Sequence, residues 1–188
     1  MLRTNINLLS YIGRLYDVEN DGESILLKNY HPGEQILVQG NRSNKVLIVK
    51  NGITKCYLHE ENDKEYILEF LGAGEILGEI EAIQNIQCLC NIKAISQVEA
   101  YSISIPFFTG LLEKDLKFNQ LLLHTFSDRI INTASRASFQ QLHTVEHSLS
   151  QLLSLLQKQD LTLGKDDMAA YLGITTRTLN RALKKLNQ

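Results

Sequence analysis

Asp166-Asp167-Met168-Ala169-Ala170-Tyr171-Leu172-Gly173-Ile174 is followed at once by Thr175-Thr176-Arg177-Thr178-Leu179-Asn180-Arg181-Ala182-Leu183-Lys184-Lys185-Leu186, near the end of a 188-residue chain. The first part reads as a short helix closed by a tight turn centred on Gly173, the second as an amphipathic helix. Thr175 suits the N-cap of that second helix, because a hydroxyl there accepts from a backbone N–H that has no helical partner. Thr178 stands three residues on, where a full capping box would have Glu. Met168, Ala169, Leu172, Ile174, Leu179, Leu183 and Leu186 form the apolar set expected to pack the two helices together, and Ala182 is core by spacing. The four cations after Ile174 meet no acid. A second helix that opens on hydroxyls and carries only cations is what a helix-turn-helix presents to duplex DNA.

The rest of the chain carries a different balance. Residues 1–112 hold 9 Lys+Arg against 14 Asp+Glu, residues 113–143 hold 4 against 3, and residues 144–188 hold 6 against 4. An acidic front and a locally basic tail imply two jobs within a chain whose net charge is only −2. No stretch approaches the ~18 apolar residues of a membrane span. The N-terminus lacks the basic segment, apolar core and small-residue cleavage site of a secretory signal. Cys56, Cys88 and Cys90 make no disulfide framework. A reducing cytoplasm is the expected compartment.

Residues 25 to 105 read as short strands between turn signals. Val46 to Val49 and Ile53 to Leu58 flank Asn51-Gly52, the strongest two-residue hairpin signal. A second hairpin is expected around Asn62-Asp63, with further breaks at Pro32-Gly33, Gly40-Asn41, Gly72-Ala73-Gly74 and Asn85. A last strand runs from Val98 to Ile105 and ends at Pro106. Strands so evenly spaced, without long helices between them, indicate an antiparallel sandwich or barrel.

After Pro106 the period changes. Leu116, Leu123, Phe126, Ile130 and Ala137 recur at near-heptad spacing, with Asn119 and Thr133 filling the same stripe. Neither Gly nor Pro occurs between Leu111 and Gln159, so a long helix can form, with a break expected near His143-Thr144. Pairing with the same helix of a second copy would bury the stripe and give a two-fold dimer; packing on its own β domain is the alternative.

Strands, long helix and terminal helix-turn-helix, in this order, resemble the CRP/FNR family of bacterial transcription regulators over nearly the whole chain. Pro32-Gly33-Glu34-Gln35-Ile36-Leu37 with Gln39-Gly40 looks like the opening of that family's β-roll, and Val46 to Gly52 like its first hairpin. Glu65-Tyr66-Ile67-Leu68 leading to Gly74-Glu75-Ile76-Leu77-Gly78-Glu79-Ile80 is similar to the approach to its phosphate-binding cassette. The Gly78-Glu79-Ile80-Glu81 run looks most like the YeiL-type subgroup. The resemblance implies an α+β fold: an antiparallel β-roll sensor (a double-stranded β-helix or jelly roll) over 1–112, a dimerisation helix over 113–143 and a helix-turn-helix over 144–188. The family continues past the recognition helix into a two-stranded wing. Here the chain stops at Gln188, so either the protein lacks a wing or the chain is cut short.

In nucleotide-binding members a Gly-Glu pair meets the ribose, and an Arg followed by Ser or Thr meets the cyclic phosphate. Gly78 and Glu79 match, but the phosphate positions hold Cys88 and Leu89, which supply no charge. A buried phosphate without its cation is costly, so cyclic AMP is not the expected effector. Lys93 is the only nearby substitute, and a poor one. Cys88 and Cys90 would share one face of a strand. They are either a redox- or metal-sensing thiol pair or, as free cysteines usually are, small core hydrophobes. Iron–sulfur members carry an N-terminal cysteine cluster, which residues 1–30 lack. His143 and His147 stand four apart and could share a helical metal face, but without an evident third ligand a solvated or hinge-region role is expected, and no cofactor is assigned.

By the same resemblance Thr176, Arg177 and Arg181 occupy base-reading positions, with Asn180 beside them. Thr175, Lys165, Lys184 and Lys185 are the expected phosphate contacts. The implied partners are duplex DNA, a second copy of the chain and, for an activator, RNA polymerase. The effector would be a small molecule or a redox signal. A non-enzymatic module that docks a protein instead of DNA is the rival reading. A cupin-like metalloenzyme would need a His-x-His pair, which His31 and His59 do not make.

Overall fold

The described turn signals in the β region mark changes of chain direction, but not always between the strands they separate. The computed structural model describes residues 2–18, 23–59 and 65–186. The expected turn at Asn62-Asp63 lies outside those residues. In chain order the elements are β1 (Leu2–Arg3), α1 (Ile6–Val18), β2 (Ile25–Tyr30), β3 (Gln35–Leu37), β4 (Lys45–Asn51), β5 (Thr54–His59), β6 (Glu65–Leu71), β7 (Ile76–Leu77), α2 (Glu79–Gln84), β8 (Asn91–Ala94) and β9 (Val98–Ser104). Five helices follow: α3 (Ile105–Lys114), α4 (Leu116–Leu142), α5 (Val145–Lys158), α6 (Lys165–Leu172) and α7 (Thr176–Leu186). The strands form two sheets, in the orders β1-β6-β5-β8-β3 and β2-β9-β4-β7. All pairings are antiparallel except β1 with β6, where Leu2 faces Phe70.

The Asn51-Gly52 hairpin is the principal correction to the sequence reading. β4 pairs with β7 and β9 while β5 pairs with β6 and β8, so the two strands lie in different sheets. Gly52, at φ 91°, turns the chain from one sheet to the other. A Cβ there would fall 2.1 Å from the Gln97 carbonyl, so glycine is required by close approach as well as by φ. The chain from β8 to β9 crosses between the sheets alongside it, and Ile95 N–H donates to the Ile53 carbonyl at 2.9 Å.

β4 is a continuous apolar run because both its faces are covered. Val46 and Ile48 face a cluster with Leu8 and Ile12 of α1, Phe108 of α3, and Phe118 and Leu122 of α4. Leu47 and Val49 point into the roll, against Leu71, Leu77, Ile92 and Ala94. Helix α1 is absent from the sequence reading, which starts its elements at residue 25. Leu8 and Ile12, four apart and fully buried, fix its inner face. The last strand ends one residue earlier than expected, because Ile105 and Pro106 begin α3 and proline suits a first helical turn.

Asp115 separates α3 from α4 and caps the latter, its side chain accepting from Phe118 N–H at 2.9 Å. Tyr11 Oη also donates to Asp115, and these two hydrogen bonds hold the carboxyl below its ordinary range. Asp115→Ala should therefore cost about 1 kcal/mol at neutral pH. The folded-state pKa is depressed, so this stabilisation is present above the unfolded value and lost as pH falls through the folded one. Urea unfolding of wild type and variant should show a gap that closes on the acid side. A gap independent of pH would refute the cap.

The inner face of α4 starts with Phe118, Leu122 and Thr125, all buried against the roll. Its outer face carries Leu116, Leu123 and Ile130, which are 73%, 63% and 69% exposed, and Ala137 is exposed beside them. Phe126, expected in the same stripe, is half-buried and packs on the cluster beneath α1 and α3. α4 ends at Leu142 with His143 as its C-cap, and Thr144 caps α5 by accepting from His147 N–H at 3.3 Å, so the break falls where expected. The His143 and His147 rings stack at 4.5 Å, with Phe139 4.3 Å from His143. Leu149 and Leu152 of α5, Met168 and Ala169 of α6, and Leu179 and Ala182 of α7 form a separate terminal core. Leu186, expected within it, is exposed.

Candidate functional site

Two regions collect the residues singled out in the sequence: the outer face of α7 and a cavity between the roll and α4. Gly173 ends α6 at φ 67°, and Ile174 N–H reaches back to the Ala169 carbonyl at 3.0 Å. This left-handed closure lets α7 start at once in a new direction. Thr175 Oγ1 accepts from Thr178 N–H at 3.2 Å, the N-cap geometry its position suggested. Thr176 Oγ1 donates to Asp166 at 3.2 Å. Arg177, Arg181 and Lys184 are exposed, and none of the three makes an ion pair among the described residues. Asn180 is half-buried, and Lys165 is exposed at the start of α6. Lys185 differs: its ammonium lies 2.8 Å from Glu146 of α5, which it holds below the usual carboxylate range.

The cavity measures about 680 Å³ and is walled by β-roll residues on one side and by Arg129, Ile130, Thr133, Ala134, Arg136, Ala137 and Gln140 of α4 on the other. Gly78, at φ 82°, opens α2 and delivers Glu79 to the cavity wall. Glu79 is buried and pairs with Arg129, whose second terminal nitrogen donates to the Ile76 carbonyl at 2.6 Å and stands 3.5 Å from Glu75. Arg3 extends the network, 3.4 Å from Glu75 and 3.1 Å from Glu69. Burial raises the Glu79 and Glu75 carboxyls, against the pull of Arg129 and, for Glu75, of Arg3 as well. Burial alone would lower Arg129, but Glu79 and Glu75 keep it above its ordinary value.

The cysteines are placed differently from the expectation. Cys88 and Cys90 precede β8 in an irregular segment, so no shared strand face joins them. Cys88 is buried with Leu37, Leu77 and Ile92 and does not line the cavity. Cys90 lines it together with Cys56, which the sequence reading passed over. Cys56 on β5 faces Ile92, two residues beyond Cys90, which brings the two thiols to the same wall. The neighbouring Cys90 thiol, with burial, pushes Cys56 up, and Cys56 in turn lowers Cys90 against the effect of burial. Leu89 lies at the cavity wall, half exposed, and its N–H donates to Glu81 at 3.0 Å. Lys93 pairs with Gln35 and Lys55 across the sheet and is not among the lining residues.

Arg129 and Arg136 were also missed. The available signal was their seven-residue spacing on the flank of the α4 stripe, which puts both on one helical face. Arg136 donates to the Leu68 carbonyl, to the Ile67 carbonyl at 2.8 Å and to the Tyr171 carbonyl at 2.6 Å. Its guanidinium also lies 4.0 Å from the Tyr171 ring centroid. The Nε atoms of Arg129 and Arg136 are buried without an acceptor among the described residues. Lys55 binds Asp167 at 2.7 Å, and Phe70 packs on Tyr171 at 5.6 Å, so α6 is docked on β5 and β6.

Residues 27–115 match the family model of the cyclic nucleotide-binding domain. Among solved structures, the c-di-GMP-responsive global regulator CLP of Xanthomonas campestris superposes with a TM-score of 0.80 at 20% identity, over 92% of this chain and 91% of that one. A CRP/FNR-family transcriptional regulator of Thermus thermophilus gives a TM-score of 0.75 at 15% identity, over 86% of each chain. A cyclic nucleotide-binding domain containing protein of Listeria monocytogenes gives 0.73 at 19% identity, over 96% of this chain and 90% of that one. Among curated proteins none matches. The class is thus a cyclic nucleotide-binding-type β-roll joined through a long helix to a helix-turn-helix. The chain has the fold of the CRP/FNR family, as its sequence resemblance implied. No described helix is long and apolar enough to cross a membrane.

Proposed function

We propose that this chain is a DNA-binding transcription regulator that works as a homodimer and answers to a signal received at the β-roll. The observation that carries the reading is the outer face of α7, the second helix of a capped helix-turn-helix. There Arg177 and Arg181 stand exposed, with no ion pair among the described residues. Guanidinium groups left free at that place can bond guanine O6 and N7 in the major groove. Thr176 and Asn180 flank them, while Thr175, Lys165 and Lys184 suit phosphates. Lys185 can join them only by giving up Glu146. The exposed stripe Leu116, Leu123, Ile130 and Ala137 supports pairing of α4 with its copy. In this arrangement residues 1–112 receive the signal, 113–143 join the copies and 144–188 read DNA.

A signal can reach the reading head through Arg136, which lines the cavity and at the same time ties β6 to the Tyr171 carbonyl of α6. A ligand that moves this side chain changes the hold of the roll on α6 and biases the poise of the head, with the His143-Thr144 break as hinge. Gel-shift titration of the full chain against an operator selected from random duplexes tests the reading. Arg181→Ala should reduce discrimination at one guanine by ~1–3 kcal/mol. Lys184→Ala should weaken all sequences alike and lower the salt dependence of binding. Indifference of sequence preference to Arg181→Ala would defeat the assignment.

A further inference from the structure

The cavity beneath α4 is walled in part by the β-roll that matches the cyclic nucleotide-binding domain model, yet its lining offers little to a nucleotide. Most of its wall is hydrocarbon, including Leu37, Leu71, Ile76, Leu77, Ile80 and Ile92. Its charged groups are three carboxylates, Glu69, Glu79 and Glu81, and two guanidiniums, Arg129 and Arg136. Each already has a protein partner. Glu79 holds Arg129, Glu69 holds Arg3 at 3.1 Å, Glu81 accepts from Leu89 N–H at 3.0 Å, and Arg136 is bound to three backbone carbonyls. Among the described residues the terminal nitrogens of both guanidiniums are engaged, only their buried Nε atoms lack an acceptor, and the lining carboxylates outnumber the guanidiniums three to two. Recruiting Arg129 to a phosphate would strip the buried Glu79 of its counter-ion, a desolvated charge left unpaired.

We propose that this cavity takes an uncharged, predominantly apolar small molecule, and not a cyclic nucleotide. The proposal rests on reading the roll as the signal-receiving domain. A volume of about 680 Å³ suits a molecule of that kind, within the ~300–1,000 Å³ common for small-molecule pockets. Such a ligand would touch Ile130, Ala134 and Ala137 on the α4 wall and lie beside Arg136, so that its binding bears on both the dimer helix and the contact with α6.

Fluorescence titration of the full chain with N-phenyl-1-naphthylamine, an uncharged apolar probe, tests this. Saturable enhancement is expected, with no displacement by millimolar cyclic AMP or cyclic GMP. Ile80→Asp and Leu89→Asp place a charge at the wall, at positions 39% and 49% exposed in the folded chain. Each should weaken the probe about tenfold or more, with circular-dichroism melting unchanged. Absence of saturable binding, displacement by either cyclic nucleotide, or indifference to both substitutions would overturn the proposal. No DNA is present in the titration. Loss of probe binding alongside intact sequence-selective DNA binding therefore rejects the ligand class alone, and the converse result rejects the regulator reading alone.

Discussion

Leu123→Asp is expected to leave a folded chain that no longer dimerises. Leu123 is 63% exposed in the single chain, so the substitution removes no contact from the core beneath α4. In a two-fold pair the same residue would face its own copy or a neighbour on the stripe, and two carboxylates would enter an apolar seam. An unpaired charge there costs about 3 kcal/mol or more, roughly a hundredfold in the dimer dissociation constant. Leu116→Asp, at a position 73% exposed, should act in the same way from one heptad earlier. Analytical ultracentrifugation should give a dimer for the wild type and a monomer for either variant, with equal helix content. DNA affinity should fall with the dimer, since each head alone reads one half-site. A monomeric wild type, or a dimer unmoved by both substitutions, would exclude α4 as the seam.

The second large effect is expected at Arg129. Its guanidinium is the counter-ion of Glu79 and a neighbour of Glu75, and both carboxylates have side chains 2% exposed. Glu75 keeps Arg3 at 3.4 Å when Arg129 is lost, but Glu79 keeps no cation among the described residues. Arg129→Ala should therefore destabilise the chain by about 3–5 kcal/mol. The loss should depend on pH with a definite sign. Burial already raises the Glu79 carboxyl in the wild type, and removing the arginine raises it further. A group whose folded pKa is raised favours folding below its unfolded value and loses that contribution as pH rises through the folded one. The deficit should be greatest near neutrality and shrink on acidification, as measured by urea unfolding. Adding Glu79→Gln to the variant should recover most of the loss, because the buried charge is removed with its partner. No recovery would show that Arg129 acts through packing alone.

How much was legible depends on whether the signal was local. The terminal unit was readable because capping hydroxyl, turn glycine and apolar spacing all lie within about twenty residues of one another, and Thr175, Gly173, Leu179 and Ala182 stand where that pattern puts them. The break at His143-Thr144 was legible for the same reason. Asn51-Gly52 misled because a left-handed glycine marks a reversal without saying which strands it joins. Only the pairing of β4 with β9, and of β5 with β6 and β8, shows that this turn crosses between sheets. The cavity was the least legible part. Arg129 and Cys56 come from elements 50 and 23 residues away from Glu79, and no periodicity within either element reports that they meet it. The apparent Cys88/Cys90 pair followed from assuming strand geometry, whereas the chain is irregular there and the contact is between Cys90 and Cys56.

Selection of bound duplexes from a randomised DNA pool by the full-length wild-type chain tests the regulator reading most directly. The expected result is enrichment of a two-fold symmetric sequence whose half-site centres lie about 34 Å apart, roughly one helical turn. Its affinity should fall steeply with added salt as the exposed cations of α7 release phosphate counter-ions. A pool that remains random after repeated selection, with the protein shown to be folded, would contradict it.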